Sequence, residues 1–209
     1  MKLVAIDGPA ASGKGTLARR LAAALGVPHL DTGLLYRAVG RRLLDAGADP
    51  ADPVAAEAAA RALAPADLTR GDLRGPDADA AAGAVAGIAG VRSALLDFQR
   101  SFAANGAVLD GRDIGTVVFP DAPAKLFVTA SLDARARRRW LELRGRGSDA
   151  GFDAVRADMA ARDASDAARA ISPLRPAADA IWLDTTELDA EAAFARALRA
   201  VRERLDNLV

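Results

Sequence analysis

The sequence predicts an α/β protein in which helices cover both faces of a parallel β-sheet. Short apolar runs, suited to buried strands, alternate with segments of helical periodicity along the whole chain. The first apolar run leads through a glycine-framed loop into a helix, as expected for the start of a βαβ unit. A length of 209 residues fits one domain with room for a small insert.

The predicted elements follow from periodicity and from turn residues. Strands are predicted at residues 3–6, 27–31, 107–109, 125–129 and 180–184. Helices are predicted at residues 16–25, 33–46, 51–63, 77–86, 91–104, 132–144, 152–168 and 189–205. Gly26 is expected to end the first helix, and Asp31 or Thr32 to cap the second. Residues 65–76 are predicted to form a loop and residues 145–148 a mobile turn.

The composition excludes several classes of protein. The 28 basic and 28 acidic residues balance, so no nucleic-acid or membrane partner is expected. The chain has no cysteine for disulfides or thiolate metal sites, and its single histidine, His29, excludes a centre built from several histidines. No apolar segment reaches the length of a signal sequence or a membrane span, and we expect a cytoplasmic monomer. His29 is interpreted as structural, and Trp140 and Trp182 as core residues.

The loop after the first strand is typical of a polyphosphate-binding site. Its glycines let backbone N–H groups point inward, the next helix presents its positive N-terminal end, and Lys14 can reach the outer phosphates. The chain has only three lysines among its 28 basic residues, and one lies here. A glycine-rich turn without a ligand is the alternative. The loop consists of Gly8, Pro9, Ala10, Ala11, Ser12, Gly13, Lys14, Gly15 and Thr16.

Polar residues follow the next two strands at the edge of the sheet where ligands bind in such folds. They are Thr32, Tyr36, Arg37, Asp110, Arg112 and Asp113. An acid that ends an apolar strand, such as Asp110, is typical of a carboxylate that holds metal-bound water, although it also closes ordinary turns. Gly15, not a hydroxyl residue, follows Lys14, and Thr16 comes one position later, so the spacing alone does not assign Thr16 to the metal. The adjacent charges of Arg112 and Asp113 suit a phosphate-binding pair or a surface ion pair.

The helix predicted at residues 152–168 changes character along one face. Its apolar stripe is continued on the same side by Arg162, Asp166 and Arg169. A solvated ladder of ion pairs and a charged surface that closes over an anionic substrate both fit this pattern. Ten arginines against six acids occur between residues 135 and 175. This local excess favours a lid, predicted at about residues 135–170.

Together these residues indicate phosphoryl transfer, which needs positioning and charge stabilisation more than a dedicated nucleophile. Lys14, a magnesium ion and several arginines would stabilise the transferred group. The acceptor would itself be an anion, and Arg37 and Arg112 are suited to a bidentate grip on its phosphate. Two alternatives remain open: a kinase for another small molecule, and a module that binds a nucleotide without turnover.

Three blocks of the sequence resemble the bacterial cytidylate kinase family. They are residues 6–16, residues 30–37 and the specific block at residues 110–122, and the similarity continues through Arg162, Asp163, Asp166, Arg169 and residues 173–174. The resemblance implies a P-loop three-layer sandwich with a five-stranded parallel sheet of order 2-3-1-4-5. It also implies an acceptor-binding region at about residues 33–104, with a shortened insert, and a short lid, all within one domain at residues 1–209.

The resemblance further implies ATP as donor, CMP or dCMP as acceptor, and Mg²⁺. Residues 8–16 would bind ATP, and the implied catalytic residues are Lys14, Arg112, Arg162 and Arg169. The implied acceptor residues are Thr32, Tyr36, Arg37, Arg92, Arg112, Asp113, Arg162, Asp166 and Arg169. Thr16 and Asp110 would hold the metal, directly or through water. The family usually has a serine at the position of Gly83, near the base.

Overall fold

A computed structural model describes residues 1–206, except for the side chain of Pro76. Its strands are β1 (Leu3–Asp7), β2 (His29–Asp31), β3 (Ala107–Gly111), β4 (Ala124–Thr129) and β5 (Ile181–Asp184). They form one five-stranded sheet of order β2-β3-β1-β4-β5, with β1 parallel to β3 and β4, and β4 parallel to β5. The predicted fold class and strand order are therefore confirmed. The last three residues of the predicted domain lie outside the described part.

Within residues 1–206, eight helices connect or follow these strands. They are α1 (Lys14–Leu25), α2 (Thr32–Asp45), α3 (Pro53–Arg61), α4 (Pro76–Val85), α5 (Ala89–Phe102), α6 (Leu132–Gly145), α7 (Phe152–Ala168) and α8 (Ala190–Asp206). The bounds of α7 match the prediction, and Gly26 ends α1 in the left-handed conformation as expected. Asp31 precedes α2, but its side chain makes no capping hydrogen bond within the described structure.

The central strands are buried along their whole length, which explains their continuous apolar sequences. Every residue of β1 and β3 is buried. β3 extends two residues beyond the prediction, so Asp110 lies inside the strand, opposite Ile6 of β1, and does not follow it. A π-helical turn at Ile114–Val118, which the sequence did not predict, follows the strand. This turn brings residues 112–115 back against the end of β1.

The chain divides into two compact units, the first consisting of Met1–His29 and the chain from Asn105 onward. In this unit α1 and α8 cover one face of the sheet, with Leu21 and Val201 packed against strand residues such as Ile6 and Leu126. A smaller cluster joins α6 to α7 through Ala136, Val155 and Met159.

The second unit consists of Leu30–Ala104 and contains α2 to α5, in which α2 packs on α4 and α3 packs on α5. The segment predicted as a loop at residues 65–76 is more ordered than expected. It begins with a 3₁₀ turn at Pro65–Thr69, and the side chain of Leu73 is buried. Arg42 also pairs with Asp67 at 3.0 Å, which ties this segment to α2.

One core prediction is wrong: Trp182 is 61% exposed. It lies on β5, the edge strand of the sheet, and its ring packs at 4.9 Å on Phe127 of β4 without being covered on its other side by the described residues.

Within residues 1–206 no single helix is long and apolar enough to cross a membrane. The segments Asp77–Val85 and Ala89–Phe102 meet that requirement only as a pair, with a bend of 98° between them.

Candidate active site

The predicted phosphate-binding loop at residues 8–16 (the phosphate loop) leads from β1 into α1 and approaches the neighbouring strand β4 very closely. A Cβ atom at Gly8 would lie 2.0 Å from the carbonyl oxygen of Val128, so only glycine fits there. α1 begins at Lys14, two residues earlier than predicted, and its positive end therefore starts within the loop. The Nζ atom of Lys14 donates to the carbonyl oxygen of Pro9 at 3.3 Å, which folds the ammonium group back over the loop.

The middle of the loop carries a strained residue. Ala11 has φ of 57°, in the left-handed region that residues with a Cβ atom rarely adopt. Ala10 and Ala11 pack against the cluster that joins α6 to α7. The buried Arg135 of α6 also donates to the carbonyl oxygen of Ala10 at 3.4 Å and forms a bidentate ion pair with Asp163 of α7. The surroundings of the loop thus hold a conformation that its own sequence does not favour.

Asp166 of α7 is the centre of a buried charge cluster in the first unit. It is 2% exposed, and its two oxygens accept from Nε of Arg112 at 2.8 Å and from Nη2 of Arg169 at 2.5 Å. Burial by itself would raise the pKa of Asp166, but Arg112, together with Arg169 and Arg162, holds it below its ordinary value. Arg112 therefore forms an ion pair with a residue 54 positions away, a contact that neither interpretation of the adjacent Arg112 and Asp113 had included.

Asp7, at the end of β1, joins the phosphate loop to the turn that follows β3. Its Oδ1 accepts the backbone N–H of Ile114 at 2.8 Å, and its Oδ2 accepts that of Gly115 at 2.7 Å. Burial raises the pKa of Asp7 to about 6, although these two hydrogen bonds act in the opposite direction. The nearby Asp113 raises this pKa further and Lys14 lowers it. Sequence reasoning did not identify Asp7 as a site residue.

Asp110 is buried in β3 below the start of α1. Its Oδ1 lies 2.7 Å from Nε2 of His29, and its Oδ2 lies 3.6 Å from the point that a Cβ atom of Gly15 would occupy. His29 is therefore a direct neighbour of the predicted metal residue. The hydroxyl of Thr16 accepts from Arg19 at 3.3 Å.

These residues fit a magnesium ion that keeps much of its own coordination shell. A carboxylate and a hydroxyl oxygen are hard ligands of the kind Mg²⁺ prefers. Among residues 1–206 no group of three or more His, Cys, Asp or Glu side chains could hold a metal. Substrate phosphates and water would therefore have to complete the coordination, which is usual for Mg²⁺.

A cavity of about 160 Å³ opens beside the phosphate loop, and sequence reasoning missed it. Its lining combines Ser12, Gly13 and Thr16 of the loop side with Arg138 of α6 and Thr185 and Leu188, which follow β5. Thr185 links the walls, because its hydroxyl donates to the carbonyl oxygen of Ser12 at 3.0 Å and accepts from Arg138 at 3.1 Å. These segments are far apart in the sequence and meet only in the tertiary structure, so no local pattern could have predicted the cavity.

In the second unit, α2 and α5 carry the remaining candidate residues. Nε of Arg37 donates to Asp79 of α4 at 2.9 Å. The guanidinium of Arg92 lies 5.5 Å from the ring centroid of Tyr36 and donates to the carbonyl oxygen of Ala86 at 3.1 Å. Arg92 and Tyr36, predicted separately, are therefore direct neighbours. Thr32, also a candidate, is buried at the first position of α2.

Comparison with known proteins assigns the family. The model of the family described as Cytidylate kinase matches residues 4–203. The chain belongs to the cytidylate kinase family. It is 65% identical over 204 residues to the cytidylate kinase of Acidiphilium cryptum (strain JF-5), covering 97% of this chain and 96% of the relative. It is 64% identical to that of Granulibacter bethesdensis over 203 residues, covering 97% of each chain, and 60% identical to that of Methylocella silvestris over 208 residues, covering 99% and 96%.

Within this member of the cytidylate kinase family, the candidate residues occur in both units. The first unit brings together Arg112, Asp166 and Arg169, with Arg162 close enough to Asp166 to lower its pKa. Asp113 follows Arg112 in the sequence, is buried, and directly precedes the π-helical turn. A side chain added at Gly83 would meet open space, since no heavy atom outside the adjacent residues and the local backbone of α4 lies within 4 Å of its Cβ position.

Proposed function

We propose that this protein transfers the γ-phosphate of ATP to CMP or dCMP, giving CDP or dCDP. The observation that carries the proposal is the family match over residues 4–203, which includes both the phosphate loop and the Arg112–Asp166–Arg169 cluster. A phosphate loop with its lysine supplies a donor site, and an arginine cluster held by a buried acid supplies charge for a second anion. Two anionic substrates are what a nucleotide kinase must bind at once.

On the donor side, residues 8–16 would bind the ATP phosphates. The loop N–H groups and the start of α1 would contact the β-phosphate, and Lys14 would stabilise charge on the group in transfer. The cavity beside Ser12 and Thr16 is suited to the base of the donor nucleotide. Arg138 can lie over a flat ring there, and Leu188 supplies an apolar wall.

On the acceptor side, Arg112, Arg162 and Arg169 would bind the monophosphate and the group in transfer. Asp166 keeps two of these guanidinium groups in fixed positions, so that little reorganisation is needed as charge develops. A carboxylate such as Asp113 can accept from the exocyclic amine of cytosine, and an arginine such as Arg92 can donate to the ring acceptors. The full set of proposed acceptor residues is Thr32, Tyr36, Arg37, Arg92, Arg112, Asp113, Arg162, Asp166 and Arg169.

Mg²⁺ would be held at Thr16 and Asp110, directly or through water, and when bound it would neutralise charge on the transferred phosphates. The protein's own contribution at that position is to orient the carboxylate. Nε2 of His29 lies 2.7 Å from Oδ1 of Asp110, and Oδ2 of the same carboxylate lies 3.6 Å from the Cβ position of Gly15 near the start of α1.

The proposal is tested by measuring phosphoryl transfer from ATP to CMP, dCMP, UMP and AMP under steady-state conditions. We expect the two cytidine nucleotides to give the highest kcat/KM. A clear preference for AMP would contradict the proposal and favour a kinase for another small molecule. The absence of transfer to any acceptor would favour a module that binds a nucleotide without turnover.

A substitution of the loop lysine separates catalysis from binding. Lys14→Met should lower kcat by about 10³-fold, because the transferred charge loses a preorganised partner. Lys2→Met is the matched control, since Lys2 donates to the carbonyl oxygen of Leu25 at the end of α1, away from the loop. The control should keep kcat within about twofold of the parent protein, and an equal loss in both variants would argue against a catalytic role of Lys14.

A further inference from the structure

Asp7 directly precedes the phosphate loop, but the hydrogen bonds of its side chain reach another segment. Both carboxylate oxygens are used by two consecutive backbone N–H groups, those of Ile114 and Gly115, at 2.8 and 2.7 Å. The residue is 4% exposed, and these bonds direct both oxygens of its carboxylate toward the backbone of another segment. Its function must therefore be sought in the segment that it binds.

That segment is the turn that carries the acceptor residues. Ile114 and Gly115 begin the π-helical turn Ile114–Val118, and Arg112 and Asp113 immediately precede it. The first N–H groups of a helical turn have no partners within the turn, and Asp7 supplies them. It thereby determines where the backbone of Arg112 and Asp113 leaves β3.

The side chain of Asp7 also packs closely against the turn, in addition to accepting its hydrogen bonds. A Cβ atom at Gly115 would lie 3.3 Å from Oδ2 of Asp7 and 3.2 Å from Cδ of Lys125, so an added methyl group would crowd both side chains by a few tenths of an ångström. The backbone of Asp7 is held in the sheet between Gly111 of β3 and Phe127 of β4.

We propose that Asp7 is a positioning residue for the acceptor: it fixes the turn after β3 so that Arg112 and Asp113 meet the nucleoside monophosphate in the correct orientation. This inference rests on the proposed function. It assigns the acid that directly precedes the donor loop to the other substrate, which the sequence alone would not suggest.

The energetic character of the residue supports a functional reason for keeping it. Burial raises the pKa of Asp7 to about 6, with Asp113 acting in the same direction and Lys14 in the opposite one. Its ionised form is therefore more costly in the folded protein than in the unfolded chain at neutral pH. Asp7 thus lowers the stability of the fold and bonds the turn next to Arg112 and Asp113, and this combination fits a role in substrate binding.

The test is whether a substitution of Asp7 changes KM for CMP, KM for ATP or both. Asp7→Asn keeps the size of the side chain but replaces one acceptor with an NH₂ group that faces a backbone N–H. We expect KM for CMP to rise about tenfold while KM for ATP stays within about twofold. Calorimetric titration with CMP should show the same loss of affinity, which separates binding from kinetic contributions to KM.

Two further variants keep the test decisive. Gly115→Ala disturbs the same contact from the turn and leaves the carboxylate intact, and should raise KM for CMP about threefold. Asp52→Ala is the matched control: Asp52 accepts the consecutive N–H groups of Val54 and Ala55 at the start of α3, outside the proposed site. The control should lower thermal stability and leave both KM values unchanged.

The outcomes distinguish this inference from the proposed function. An unaltered protein without CMP kinase activity would overturn the proposed function itself. If the unaltered protein is active but Asp7→Asn and Gly115→Ala raise KM for ATP, raise both KM values equally or change neither, the inference is overturned. If Asp7→Asn does not fold, Gly115→Ala decides by the same criterion.

Discussion

The ion-pair cluster around Asp166 makes the sharpest prediction for stability and activity together. Asp166→Ala removes the common partner of Arg112 and Arg169, whose side chains are only 19% and 17% exposed. A hydrogen bond to a charged group contributes about 1.5–3 kcal/mol, and breaking a buried ion pair costs about 3–5 kcal/mol. We therefore expect the free energy of unfolding to fall by about 3 kcal/mol. For a chain of this size that corresponds to a decrease in Tm of roughly 6–12 °C.

The same variant should lose about 100-fold in kcat, because misplacing binding groups by about 1 Å can cost this much. Asp158→Asn, an exposed acid on the same helix, is the control and should change stability by less than about 0.5 kcal/mol. Thermal and urea unfolding measure stability, and a coupled assay with ATP and CMP measures kcat. If Asp166→Ala matched Asp158→Asn in stability while remaining folded, the buried cluster would not be the stabilising element that the distances indicate.

Acid provides an independent check on the same reasoning. The pKa of Asp166 is lowered in the folded protein, so its contribution is present above the unfolded value of about 3.8 and is lost as pH falls through the folded value. The difference in unfolding free energy between the parent protein and Asp166→Ala should thus be constant from pH 7 to about pH 4.5. It should shrink below about pH 4, and a gap that stayed constant there would refute the assignment.

Two other predictions concern the phosphate loop. Ala11→Gly should raise the free energy of unfolding by about 0.5–1 kcal/mol, because the loss of a left-handed strain of about 1–2 kcal/mol outweighs a smaller entropic cost. Ala10→Gly, at a position without positive φ, should lower the free energy of unfolding. Chemical denaturation of both variants measures these changes, and equal effects would contradict the prediction. The raised pKa of Asp7 means that the folded protein binds more protons than the unfolded chain between about pH 4 and pH 6. The parent protein should therefore lose about 3 kcal/mol relative to Asp7→Asn as pH rises through that range, a difference that unfolding titrations at several pH values would detect.

Local patterns in the sequence were sufficient for the helices, strands and phosphate loop. The apolar stripe of α7 and the continuous apolar run of β1 depend only on residues that are neighbours in the chain, and the structure confirms both. The resemblance to a known family supplied the strand order, which periodicity alone does not determine. Both kinds of inference therefore succeeded where the information was contained in short segments or in a shared motif.

Pairings between distant segments were beyond this reasoning. The sequence left Arg112 and Asp113 open as a phosphate-binding pair or a surface ion pair, and it could not show that Arg112 bonds Asp166, 54 positions further along the chain. The bonds from Asp7 to the turn after β3 and the contact between His29 and Asp110 arise from strand register. Trp182 was assigned to the core on its hydrophobicity, but residues on an edge strand can have one uncovered face.

The different environments of the two tryptophans give the protein an internal optical reporter. Trp140 donates its indole N–H to the carbonyl oxygen of Ala150 and meets the ring of Phe152 edge to face at 6.3 Å, so its emission reports on the hairpin of α6 and α7. Trp182 is largely in water and contributes a red-shifted background. The substitution Trp182→Phe would leave Trp140 as the single tryptophan of the protein. Nucleotide-dependent changes in the hairpin can then be followed by tryptophan fluorescence without an added label.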